Sequence, residues 1–178
     1  MPNYITDEVK ACIGLESEWE QGWDPVERGQ IRRHSQATMD HDPIYWDDAY
    51  AQSTKFGGVR APPLFPVHVL RVPASDPDPF EGRGSDPDFD GGTPGVMGLV
   101  KGLPPVPIPL KRVLNGGSQI EVYQLAKPGE YVRVESKYVD IYQRDGRSGA
   151  LIFILVETLY TNEAGELLLK ATQTRIYR

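Results

Sequence analysis

Residues 131–177 read YVRVESKYVDIYQRDGRSGALIFILVETLYTNEAGELLLKATQTRIY, and the punctuation of this stretch decides the fold. Runs rich in Val, Ile, Leu, Tyr and Thr are broken by Asp145-Gly146-Arg147-Ser148-Gly149 and by Asn162-Glu163-Ala164-Gly165, both turn compositions. The pattern predicts strands at Tyr131–Gln143, Ala150–Thr161 and Leu167–Tyr177. Just upstream, Asn115-Gly116-Gly117 opens a further strand near Gln119–Gln124, and Lys127-Pro128-Gly129 is the turn after it. The expectation is an antiparallel meander of four strands. In Leu151–Val156 both alternation classes are apolar, which predicts a central strand covered on both faces, one of them by a helix.

Toward the N-terminus, Asp24-Pro25-Val26-Glu27 reads as a helix start, with Asp24 as N-cap, Pro25 at the first helical position and Glu27 reaching back. The helix should run from Pro25 to about Met39 and stop near Asp40, because Pro43 pushes Asp42 out of the helical region. A loop then carries Tyr45, Trp46, Asp47 and Asp48, and a short helical piece follows from Asp47 to Ser53. Between the two halves, Pro73–Pro109 is too rich in Pro, Gly and Asp for regular structure and reads as an irregular insertion within one domain spanning 1–178. Within it, Asp86-Pro87-Asp88-Phe89-Asp90-Gly91 matches the opening of a calcium-binding EF-hand loop, yet Met97 stands at the twelfth position, where a bidentate Glu belongs. An acidic, solvated loop is the better reading.

Composition narrows the function. At 178 residues, 39% hydrophobic and 25% charged, the chain has globular values and can bury a core. It has no run of eighteen apolar residues, and MPNYITDEVK lacks a secretory pattern, so a cytoplasmic protein without a membrane span is expected. The lone Cys12 excludes an intramolecular disulfide framework and reads as an inert thiol. A net charge of -6 without a basic block argues against nucleic acid as partner. His34, His41 and His68 have no ligand spacing among themselves, so no metal is expected and all three read as structural or solvated. Serine-nucleophile elbows and phosphate-cradling Gly loops are absent from the sequence, and no cofactor is called for.

One constellation carries chemistry: Asp40-His41-Asp42-Pro43-Ile44-Tyr45-Trp46-Asp47, then Ala51, then Phe56-Gly57-Gly58-Val59-Arg60-Ala61-Pro62-Pro63-Leu64-Phe65. These residues resemble the MaoC-like hot-dog family of (R)-specific enoyl-thioester hydratases and dehydratases. The family motif has an Asp, two residues on a Pro-Ile, then His and Asp, followed by a Gly-rich turn into a short apolar helix. Leu114-Asn115-Gly116-Gly117, Lys127-Pro128-Gly129-Glu130, Arg144-Asp145-Gly146-Arg147-Ser148-Gly149 and Thr158-Leu159-Tyr160-Thr161-Asn162 resemble its N-terminal-type (FAS1-like) dehydratase branch. The resemblance covers nearly all the chain except Pro73–Pro109. It implies an α+β fold, a single hot-dog domain in which an antiparallel sheet wraps a central helix and two such folds join edge to edge, with thioester sites at the interface.

Hydrating an enoyl thioester takes a base to activate water, an acid at the α carbon and a donor at the thioester oxygen. The resemblance implies that an Asp and a His orient the water, and that a backbone N–H from a Gly at the start of the short helix serves the oxygen. Asp40 matches the Asp, but Tyr45 stands at the His position and Pro62-Pro63 replace the His-Gly pair after Ala61. Tyrosine, with a pKa of about 10, is a poor base at neutral pH. Proline has no N–H to give. Asp40 and Tyr45 thus read as vestigial catalytic positions, with the adjacent His41 as a lesser candidate, and Ala61, Pro62, Pro63, Leu64, Phe65 and Leu70 as lining of an acyl pocket. The implied function is the non-catalytic half of a heteromeric (R)-specific enoyl-CoA hydratase or 3-hydroxyacyl-thioester dehydratase. Its partners would be an acyl-CoA or acyl-carrier-protein thioester and a second hot-dog subunit that keeps the Asp/His dyad, or a second copy of itself. Two other readings stay open: a self-sufficient homodimeric hydratase or thioesterase using Asp40, His41 or Asp42, and a binding module without chemistry.

Overall fold

One antiparallel sheet organises the chain, and a computed structural model describes it over residues 2–69, 85, 102–147 and 149–178. Its strands are β1 (Glu20–Gln21), β2 (Val113–Val122), β3 (Val132–Gly146), β4 (Gly149–Asn162) and β5 (Leu167–Tyr177), in the order β1-β3-β4-β5-β2. The last strand matches its expected span; β3 starts one residue later than expected and ends three later, and β4 gains one residue at each end, the hairpin between them pairing as far as Gly146 with Gly149.

The meander holds for β3, β4 and β5 only. β2 lies on the far side of β5, pairing Leu114 with Ile176 and Val122 with Leu169, so the chain after β2 must cross the end of the sheet to reach β3. The crossing segment is held by its own bonds: Tyr123 and Gln124 N–H donate to the Leu168 carbonyl, and the Ala126 carbonyl accepts from Ala61. β2 also begins earlier than expected, because Asn115-Gly116-Gly117 lies inside the strand as a bulge instead of opening it. A Cβ at Gly116 would stand 2.7 Å from Thr174 Cγ2 and 3.0 Å from the Thr174 carbonyl, so only glycine fits against β5 there.

β4 is central, as its composition requires, but only one of its faces is fully covered. Ile152, Ile154, Val156 and Tyr160 are buried on the inner face, while Leu151, Phe153 and Leu155 are half-buried on the outer one. Outer side chains shield one another instead: Tyr142 and Phe153 stack with centroids 4.9 Å apart, and the Arg144 guanidinium lies over both rings.

The inner face carries two packed clusters. Val132, Val134, Tyr160, Leu168 and Leu169 pack with Val26, Ile31, Ile44, Tyr45, Ala61 and Phe65 from the N-terminal half. Tyr138, Ile141, Ile152, Ile154 and Val156 pack with Val9 and Cys12, flanked by Leu103, Val106, Ile108 and Leu110. Val9 belongs to α1 (Asp7–Ala11), five residues capped by the Thr6 side chain and too short to show a period in sequence.

α2 (Arg28–Thr38) turns Ile31 and Ser35 inward and starts three residues later than expected. Asp24 is not its cap. The backbone of Val26 is committed elsewhere: its N–H donates to Glu130 and its carbonyl accepts from Gly129, each at 2.8 Å. Residues thus tied to the 127–130 turn cannot form a first helical turn. α3 (Asp48–Ser53) follows the expected piece closely, with the Asp47 side chain accepting from Tyr50 N–H. Among the described residues no helix is long and apolar enough to cross a membrane.

Candidate active site

The end of α2 builds the site. Met39 adopts a left-handed conformation (φ 57°), which folds the chain back so that Asp40 N–H donates to the Ser35 carbonyl at 3.0 Å. Asp40 Oδ1 then accepts from Asp42 N–H at 3.3 Å, and Asp42 Oδ1 from Ile44 N–H at 3.0 Å. These turns start a 3₁₀ turn at Pro43–Tyr45 and drive Ile44 and Tyr45 into the core. Arg28 braces the loop from outside, paired with Asp48 at 2.6 Å and donating to the Trp46 carbonyl.

The second limb is the glycine turn. Arg60 donates to the carbonyls of Phe56, Gly58 and Val59, knitting the turn closed. Arg60 N–H donates to Ile44, which sets the strip from Ala61 to Phe65 beside the 3₁₀ turn of Tyr45. Phe65 N–H donates to the Pro62 carbonyl and begins a second 3₁₀ turn, Phe65–His68.

The structure brings Asp40 and Tyr45 together. Burial, the Asp40 charge, a side-chain hydrogen bond to Asp40 and the charge of Asp42 push the Tyr45 hydroxyl up to about 12. A phenol so placed stays protonated at neutral pH and holds the carboxylate by donating to it. It cannot take a proton from water there. His41 is exposed. Of the residues read as pocket lining, Ala61, Pro62 and Phe65 are buried, with Ala61 and Phe65 inside the first cluster, Pro63 is half-buried and Leu64 is exposed; Leu70 lies outside the described residues, as does the EF-hand-like stretch 86–91.

The fold brings together two histidines that read separately as structural or solvated. The rings of His34, from the last turns of α2, and His68 lie 5.1 Å apart, and His34 meets Phe65 edge-on at 5.7 Å. Burial and the neighbouring His68 hold the His34 pKa down, against the opposing pull of Asp40. No spacing rule relates these two positions; only the left-handed turn at Met39 and the second 3₁₀ turn fold them toward one another. Among the described residues no group of three or more His, Cys, Asp or Glu could hold a metal ion.

Comparison with known proteins gives this geometry a setting. No curated protein matches the sequence. Among solved structures, the ChsH1-ChsH2 complex from Mycobacterium tuberculosis contains a chain with a TM-score of 0.68 at 19% identity, covering 95% of this chain and 86% of that one. A MaoC-like dehydratase from Rhodospirillum rubrum matches with a TM-score of 0.61 at 16% identity, over 93% of this chain and 91% of that one. The HadBC (3R-hydroxyacyl-ACP dehydratase) complex from Mycobacterium tuberculosis gives 0.59 at 14% identity, over 93% of this chain and 96% of that one. At these identities the likeness is one of fold, and the fold is the hot-dog arrangement. The model of the FAS1-like, dehydratase domain region matches residues 11–171, nearly the full length, and the chain therefore belongs to that MaoC-like dehydratase family.

Proposed function

We propose that this chain is the non-catalytic, acyl-pocket half of a heteromeric hot-dog hydratase or dehydratase acting on an enoyl or 3-hydroxyacyl thioester. The observation that carries the reading is the buried Tyr45 hydroxyl against Asp40, its pKa raised to about 12 where the family chemistry needs an imidazole. Pro62 and Pro63 add to it, since neither has an N–H to offer a developing enolate. Two of the structural relatives are themselves named as complexes, which supports a second hot-dog subunit.

The surface for that subunit is β2. It is a ten-residue edge strand whose Leu114, Ile120 and Val122 are exposed, as is Tyr123 just after it. An unpaired apolar edge of this length is a template for another strand. A partner continuing the sheet there should bury more than about 1,000 Å², the size of a stable interface.

The test is co-expression with a hot-dog protein that keeps an intact Asp/His dyad and is encoded beside this one. Hydration of crotonyl-CoA is then assayed for the complex and for each chain alone. Activity in the complex and its absence in this chain alone support the reading. An isolated chain that hydrates crotonyl-CoA at the rate of a complete enzyme overturns it.

A further inference from the structure

Arg175 lies on the inner face of β5, opposite Ile154 on β4 and Asn115 on β2, and is only 5% exposed. It is the one buried residue with a formal charge among the described residues. A buried guanidinium normally keeps a carboxylate beside it, because an unpaired charge in an apolar interior is costly. Here Nε and Nη2 both donate to one neutral acceptor, Gln173 Oε1, at 3.2 and 3.1 Å. Tyr177 also hydrogen-bonds the guanidinium, and the other polar neighbour, Tyr138, spends its own proton on the Pro104 carbonyl at 2.9 Å. None of the ion pairs among the described residues includes Arg175.

Its place in the fold matters as much as the absence of a counter-charge among the described residues. Helices and loops cover the inner face over β3, β4 and β5, but β2 is almost wholly exposed, so the cover ends at the seam between β5 and β2. Arg175 stands at that seam. The β2 bulge begins at its cross-strand neighbour Asn115, whose Oδ1 turns away to accept from Gly117 N–H at 2.9 Å. The seam is the part of the inner face that a subunit docked on β2 would close over.

We infer that Arg175, with Gln173 and Tyr177 behind it, receives a carboxylate carried on the distal part of the acyl group, making the preferred substrates thioesters of acidic acyl chains. The inference rests on the reading of this chain as an acyl-pocket subunit. One edge of the guanidinium is held by Gln173 and Tyr177 hydrogen-bonds it as well, and the N–H groups beyond these are the donors that a carboxylate accepts.

The experiment compares glutaryl-CoA with pentanoyl-CoA, which differ in charge at the far end, by calorimetric titration of the assembled complex. Glutaryl-CoA should bind about tenfold or more tightly. Arg175→Met should remove that preference and Arg175→Lys should keep part of it. The wild-type comparison stands even if a variant does not fold. Equal affinity for both ligands overturns the inference and leaves the acyl-pocket reading intact. Failure of both to bind overturns the two together. A preference that survives in Arg175→Met assigns the carboxylate to another cation and overturns the inference as well.

Discussion

Ile154 and Ile152 are chemically identical, buried on the same face of the same strand, and differ in what stands across from them. Ile154 faces Arg175 on β5, whereas Ile152 faces Tyr177 on β5 and Gln143 on β3. Replacing either with aspartate forfeits the burial of an isoleucine, about 1.5–3 kcal/mol. At 152 it also buries a carboxylate without a cation, several kcal/mol more. At 154 the Cβ atoms of opposed residues are roughly 5 Å apart, within reach of a long guanidinium, and the new carboxylate meets a charge that has no carboxylate among the described residues. Because separating a buried pair costs about 3–5 kcal/mol, Ile154→Asp should be milder than Ile152→Asp by about 3 kcal/mol. Urea unfolding at pH 7, followed by the fluorescence of Trp19, Trp23 and Trp46, measures the difference, with limited proteolysis ranking any variant too weak to titrate. Adding Arg175→Met to Ile154→Asp should abolish the advantage. The pairing depresses the pKa of the introduced carboxylate, so the advantage is complete above about pH 4 and disappears as pH falls through the depressed value. Equal destabilisation at 152 and 154, or an advantage that survives Arg175→Met, would refute the description of Arg175 as a cation lacking a carboxylate.

Four further outcomes are expected. Asp40→Ala should leave kcat of the complex within about tenfold, since a carboxylate already engaged by Tyr45 has no imidazole to orient; a thousandfold loss with assembly intact would place chemistry in this half. Tyr45→His in the isolated chain should yield no hydration of crotonyl-CoA, because a missing oxyanion donor alone costs about 10²–10³ in rate, and detectable turnover contradicts that argument. The Tyr45 phenol should remain protonated while exposed tyrosines ionise in an ultraviolet titration: raised from 10.0 to about 12, it contributes stability that is complete below pH 10 and lost as pH rises toward 12, and Tyr45→Phe should remove that share. By proton NMR, His34 should titrate below the ordinary histidine value, His68→Ala should move it up and Asp40→Asn further down; its stability contribution is present above about pH 6.5 and lost as pH falls through the lowered pKa.

The strands were the legible part of this molecule because their information is local. Asn162 shows why: one side chain accepts from Ala164 and Glu166 N–H and donates to Glu166, so the turn before β5 is written in five consecutive residues. The start of α2 was not legible, since Asp24-Pro25-Val26-Glu27 is a sound local signal overridden by bonds from Val26 to a turn a hundred residues away in the chain. Nor was the position of β2, because a turn composition does not say whether the chain doubles back or crosses over. At the site, Asp40 and Tyr45 could be placed by their motif, and their contact is a five-residue affair. His34, His68 and Arg175 could not. Each looks like an ordinary polar residue until the tertiary fold puts a second imidazole beside one and only neutral acceptors beside the other.

The bulge at Asn115–Ser118 gives β2 a tolerance of length that composition hides. Ser118–Val122 pairs with Gln173–Leu169 one residue out of step with Val113–Asn115, so the two halves of the strand present their side chains in different phase. Removing a single glycine from the pair would absorb the bulge and restore one continuous alternation along the sequence, with Ile120 and Val122 still opposite Ala171 and Leu169. The bulge is therefore the place where this edge can absorb a change of length: a residue lost there leaves every pairing in place, whereas one lost between Ser118 and Val122 would shift the rest against β5 and carry its side chains to the opposite face.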